Sequence, residues 1–130
     1  MIAPANQCHS SQQCATVHSL RSDPGIRLSF FFYQDLDVSR YRGRTLTYRA
    51  YVRVGPGSTA RLLVRVHRED CSTTFRDDMG SHPVKFGDWA VYEIRAPIAN
   101  DAFHVEFGVQ LIGQGAAWID QVSAEFAPVR

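Results

Sequence analysis

Three polar rows recur in this chain at a spacing of two. Arg49, Tyr51 and Arg53 form the first, Arg65 and His67 extend it, and His104, Glu106 and Gln110 form the last. Residues two apart on a strand project from one face, so each row sets planar polar groups side by side. Arginine and tyrosine are enriched at recognition surfaces. Arginines that share a face repel until acids or a ligand neutralise them. Recognition of a small polar ligand is the chemistry such a face could perform. The plainer reading is the solvated side of a half-buried antiparallel sheet.

Other groups were weighed for catalysis or metal binding. Asp77 and Asp78 are adjacent carboxylates. Neighbours on an extended segment point to opposite sides, so unless a turn intervenes they do not flank one glycosidic bond. Asp78 instead reads as a loop-structuring residue and, with Phe75, Arg76, Asp77 and Met79, as rim to the site. Cys8, His9, Cys14 and His18 all carry zinc-ligating side chains at a C-x5-C-x3-H spacing, without the close cysteine pair of a zinc knuckle. A Cys8–Cys14 disulfide is the alternative in an exported chain. Arg40, Arg42 and Arg44 surround Tyr41, an arrangement that could stack a base but reads more plainly as a solvated turn. The chain has no G-x-S-x-G elbow, P-loop, dinucleotide fingerprint or H-E-x-x-H. A non-catalytic protein without a cofactor is expected.

The elements that must position these rows are strands. Phe103, Val105, Phe107, Val109 and Leu111 keep a strict period of two, the pattern of a strand with one buried face. Leu46, Tyr48, Ala50, Val52 and Val54 repeat it, opposite Thr47, Arg49, Tyr51 and Arg53. Leu62, Val64 and Val66 then point inward, while Arg61, Leu63, Arg65 and His67 point away. Gly55, Pro56, Gly57 and Ser58 predict a break between these two runs. A strand is expected from Leu28 to Asp35, placing Tyr33 and Gln34 near the site, after a turn at Ser22, Asp23, Pro24 and Gly25. Residues 15–20 suit a short edge strand. Residues 69–88 lack periodicity and form the longest irregular segment, a length that is usually functional or hides a short strand. Trp89 to Arg95 and the run ending at Phe126 complete the sheet.

At 130 residues the chain has room for one domain with a real core, expected over residues 15–130 behind a flexible segment at 1–14. A net charge of +1 gives no field that favours nucleic acid or membrane. No apolar run approaches the roughly 20 residues of a membrane helix. The first residues lack a basic and then apolar leader, so a cytoplasmic address is expected.

The order of several motifs carries a resemblance. A Tyr41-Arg42-Gly43 entry to a strand, a Phe75-Arg76-Asp77-Asp78-Met79 loop, a Gly87-Asp88-Trp89 strand start and a terminal Trp118-Ile119-Asp120-Gln121-Val122 strand follow one another. Over residues 15–127 the chain resembles the galactose-binding-like jelly-roll domains of bacteria, related in architecture to carbohydrate-binding modules and to domains appended to regulators and hydrolases. The resemblance implies an all-β, antiparallel jelly-roll sandwich. It implies sugar recognition by stacking on Tyr51 and hydrogen bonding from Arg49, Arg53, Arg65, His67, Asp78, His104, Glu106 and Gln110. In several such modules an acidic residue at the position of Asp120 binds structural calcium, which wants six to eight oxygens. Their N-terminal ligand segment has no clear copy here. The alternative is a protein-interaction or homo-oligomerisation module using the same face or a sheet edge.

Overall fold

Alternation of apolar and polar residues becomes eight strands and no helix among the described residues of the computed structural model, which are 2–4, 8–9, 13–18, 29–80, 82–113 and 115–128. The strands are β1 (Ile2–Pro4), β2 (Gln13–His18), β3 (Ser29–Asp37), β4 (Thr45–Arg68), β5 (Thr73–Asp77), β6 (Val84–Pro97), β7 (Ala102–Gly113) and β8 (Ala116–Phe126). All ladders between them are antiparallel.

β4 organises the molecule. Its residues 45–54 lie between β6 and β8; its residues 58–68 pair with β7 on one side and, on the other, with the start of β6 at Thr59 and Ala60 and with β5 from Val64 to His67. The strand therefore belongs to two layers. Layer one runs β1-β2-β8-β4-β6, and layer two runs β5-β4-β7-β3. The break expected at residues 55–58 is a bend within an unbroken strand. Gly57 has φ +83°, and a Cβ on Gly113 would come within 2.7 Å of the Gly57 carbonyl, so the two backbones approach only as glycines.

The interior takes the even-numbered residues of β4 on both sides of the bend. Leu46, Tyr48, Ala50, Val52, Val54, Ala60, Leu62, Val64 and Val66 are essentially inaccessible to water, each large one contributing about 1.5–3 kcal/mol relative to exposure. Tyr48 ties the layers together: its hydroxyl donates to the Gly108 carbonyl at 3.1 Å and its ring lies 5.1 Å from Phe107. Burial pushes its phenol well above the usual range.

The less patterned segments also carry structure. The segment expected to be flexible through residue 14 carries β1, which pairs with β2, and Cys8 and Cys14 form a disulfide with Cα atoms 5.6 Å apart. This removes both thiols from the proposed zinc set. The irregular stretch at 69–88 contains β5 and the start of β6. Met79 then covers the edge that β5 leaves open, its sulfur accepting from the Leu62 N–H at 3.3 Å. The turn expected at Ser22, Asp23, Pro24 and Gly25 lies outside the described residues, as do the side chains of Phe30, Phe31, Phe32, Tyr33 and His18.

Candidate functional site

The rows read as one surface lie on two. Inward residues on both sides of the β4 bend face a shared interior, so Arg49, Tyr51 and Arg53 project from the outside of layer one. Arg65 and His67 project from the outside of layer two. The ladder brings His104, Glu106 and Gln110 to the second group only, pairing them with His67, Arg65 and Arg61.

On layer one the chain occupies its own aromatics. Arg53 sits opposite Trp118 on β8, its guanidinium 3.9 Å from that ring and 5.7 Å from Trp89. His9, held beside the disulfide, stacks on Tyr51 at 4.0 Å and 16°. Asp120 accepts the His9 backbone N–H at 3.0 Å through one oxygen and the Gln121 N–H at 2.8 Å through the other. Gln121 has φ +50° in a bulge of β8, which turns its side chain to His9 Nδ1 at 2.8 Å. Each carboxylate oxygen of Asp120 thus holds a backbone N–H. Asp120 anchors the N-terminal segment on the outer side of the layer. The stacking surface assigned to Tyr51 is taken by His9.

On layer two the arrangement differs. Leu63 points outward yet is buried, facing Gly108 across the ladder, and the pair makes an apolar floor. Polar groups flank it in register: Arg61 with Gln110, Arg65 with Glu106, His67 with His104. Arg65 Nη2 lies 3.9 Å from Glu106, and His67 Nε2 lies 2.8 Å from its other oxygen. That second approach is off the hydrogen-bond direction, so Nε2 remains unsatisfied despite the short distance. Arg61 Nε and Arg65 Nε are also buried without a hydrogen-bond partner. Unpaired buried donors cost about 1–3 kcal/mol each, so the two arginine nitrogens are groups that a polar ligand or water could satisfy.

β3 borders this face. Tyr33 pairs through its backbone with Gly108, Asp35 with Glu106 and Asp37 with His104. Gln34 is exposed on the same strand and reaches the cleft between the layers beside Tyr48, Phe107 and Val122. The backbone N–H and hydroxyl of Ser39 both donate to Asp37, holding its carboxyl below the usual range. Asp78 pairs with Arg76 at 3.3 Å beside β5, whereas the backbone-accepting role expected of it falls to Asp77, which receives the Met79 N–H at 2.9 Å. Tyr41 is no base-stacking platform: it lies flat on Phe126 at 3.9 Å, and Arg42 is tied to the Ala102 carbonyl at 2.7 Å. Arg61 joins the face without having stood out in the sequence, and neither the covering of Arg53 by Trp118 nor that of Tyr51 by His9 was legible there. The parity of Arg61 with Arg65 was the available signal for the first.

No family model matches the chain. Its fold is nonetheless shared with carbohydrate-binding modules. The C-terminal family 22 module of Clostridium thermocellum Xyn10B superposes with a TM-score of 0.70 at 13% identity, covering 98% of this chain and 80% of that one. TmCBM61, solved with β-1,4-galactotriose, superposes at 0.62 with 14% identity, covering 97% and 81%. These likenesses show the fold, a carbohydrate-module-like jelly-roll sandwich, in agreement with the sequence resemblance. A curated relative, the uncharacterized HTH-type transcriptional regulator YbfP of Bacillus subtilis (strain 168), is 29% identical over 94 residues, which is 71% of this chain. The chain spans about a third of that relative's length, 32%.

Proposed function

We propose that this protein is a non-catalytic carbohydrate-binding module whose site is the outer face of layer two. The observation that carries the reading is the pair of buried arginine nitrogens, Arg61 Nε and Arg65 Nε, that make no hydrogen bond beside Glu106 and Gln110. A pyranose presents hydroxyls that would satisfy those donors. Glu106 and Gln110 would accept from other hydroxyls. Glu106 lies against Arg65 and His67, with Asp35 opposite it across the ladder on β3; a carboxylate held beside arginine in this way supports hydroxyl recognition over glycoside hydrolysis.

The fold neighbours direct the choice of ligand to try, because one is described as xylan-binding and another was solved with β-1,4-galactotriose. Calorimetric titration with xylohexaose and with β-1,4-galactotriose tests the reading. Saturable binding of either, lost in Arg65→Ala, is expected. Absence of binding to both, and to a wider panel of oligosaccharides, would overturn it.

The disulfide between Cys8 and Cys14 supports an oxidising compartment over the cytoplasmic address expected from the sequence. The similarity to YbfP favours a second reading, in which the same face senses a ligand for an attached regulatory unit. Thiol titration of the protein from its native host separates the two: an intact disulfide supports the first, free thiols at Cys8 and Cys14 the second.

A further inference from the structure

Three metal-ligating side chains meet at one end of the layer-two face. His67 on β4 lies directly opposite His104 on β7, and Glu106 follows His104 by two residues on the same side of that strand. One ligand atom from each falls within 4.8 Å of the others. The imidazole rings are 4.8 Å apart at 32°. β4 shifts register on both sides of His67, against β5 and against β7, and such bulges re-aim side chains at functional positions.

From this we infer that His67, His104 and Glu106 bind a divalent transition-metal ion of the zinc class. Two imidazoles and one carboxylate are a zinc ligand set that leaves a fourth position for water or a ligand oxygen. Zinc ligands at about 2.0–2.1 Å in a tetrahedron stand roughly 3.4 Å apart. His67 and Glu106 are nearer than that and the widest pair is farther, so modest rotamer changes complete the geometry. The half-buried His104 and Glu106 have the freedom to make them. His67 supplies a second, separate indication. Its Nε2 is buried, lies close to Glu106 and still lacks a hydrogen bond, which leaves it available to an ion shared with that carboxylate. Thr73 Oγ1 lies 3.4 Å from Nδ1, the outer partner that would fix the ring when Nε2 coordinates. Arg65 opposes a cation here, but its nearest contact with Glu106 is a long 3.9 Å through Oε2, which leaves Oε1 to the metal.

This goes beyond the carbohydrate reading and is tested without any sugar. The full chain, disulfide intact, is titrated with zinc chloride by calorimetry, and with cobalt(II) chloride followed by visible absorption. One equivalent of zinc and intense tetrahedral cobalt bands are expected. His104→Ala and Glu106→Gln each weaken zinc binding by more than about tenfold, the least expected when outer-shell partners already account for 10–100-fold. Both sites are half-exposed, so these variants retain the fold where His67→Ala would leave a hole in the sheet. His82→Ala, in the loop before β6, leaves binding unchanged. Absence of stoichiometric zinc binding overturns the inference, as does binding that survives both ligand variants or is lost equally in His82→Ala.

Discussion

One strand builds both outer faces of this sandwich, and the two faces differ in what covers their polar rows. On layer one, Arg53 is covered by Trp118 and approached by Trp89, and Tyr51 is covered by His9. On layer two, the Arg61 and Arg65 Nε atoms are buried with no hydrogen bond. Residue types are alike along the two rows, so composition does not tell them apart. Cover does: the chain's own rings lie over Tyr51 and Arg53 on the first face, while the Arg61 and Arg65 Nε atoms stand beside no ring of the described residues on the second. An unmet donor is a cost that a ligand can relieve.

The comparison breaks most sharply under substitution in each face. Arg65→Ala removes a charged donor worth about 1.5–3 kcal/mol when bonded, and oligosaccharide affinity measured by calorimetry falls about 10–100-fold. Tyr51→Ala changes that affinity by less than about twofold, because its ring already serves His9. The reverse holds for stability. Trp118→Ala removes the platform under Arg53 and costs about 2–3 kcal/mol in denaturant unfolding, below the full burial value because the ring is half-exposed, while sugar affinity is kept.

The N-terminal cover can be loosened by itself. Replacing Cys8 and Cys14 together by serine frees a short loop from its cross-link and lowers stability by about 2 kcal/mol, read as a lower thermal midpoint. Loss of ligand affinity in that variant would place the site on layer one after all.

How much of this was legible in the sequence depends on how local the cause is. The alternation from Leu46 to Val54 and from Phe103 to Leu111 reports one-sided burial directly, so strands and inward residues could be read off. Parity even continues across the bend, from Val54 to Ala60, which is why the rows on either side seemed to share a surface. The bend itself depends on Gly57 and Gly113 approaching each other, a contact between residues 56 positions apart. His9 on Tyr51 is equally remote, and a tail of polar residues gives no periodic sign that a disulfide will dock it. β5 was hidden for a different reason: five residues with partial burial on both sides carry too little alternation to stand out.

The smallest effect concerns the joint between the layers. Tyr48→Phe loses one buried hydrogen bond, about 0.5–1.5 kcal/mol at neutral pH. Because burial raises the Tyr48 phenol above its unfolded value near 10, its contribution is fully present below that pH and is lost as pH rises beyond it. Wild-type stability therefore declines above about pH 10, and the decline is shallower in Tyr48→Phe, as urea titrations at pH 9 and 11 would show.

Backbone amide shifts followed by NMR during titration with xylohexaose or β-1,4-galactotriose test the central claim most directly. The account predicts that the largest changes fall on Leu63, Arg65, Glu106, Gly108 and Gln110, with Tyr51, Trp89 and Trp118 undisturbed. Changes centred on Tyr51, Trp89 and Trp118 instead would contradict it.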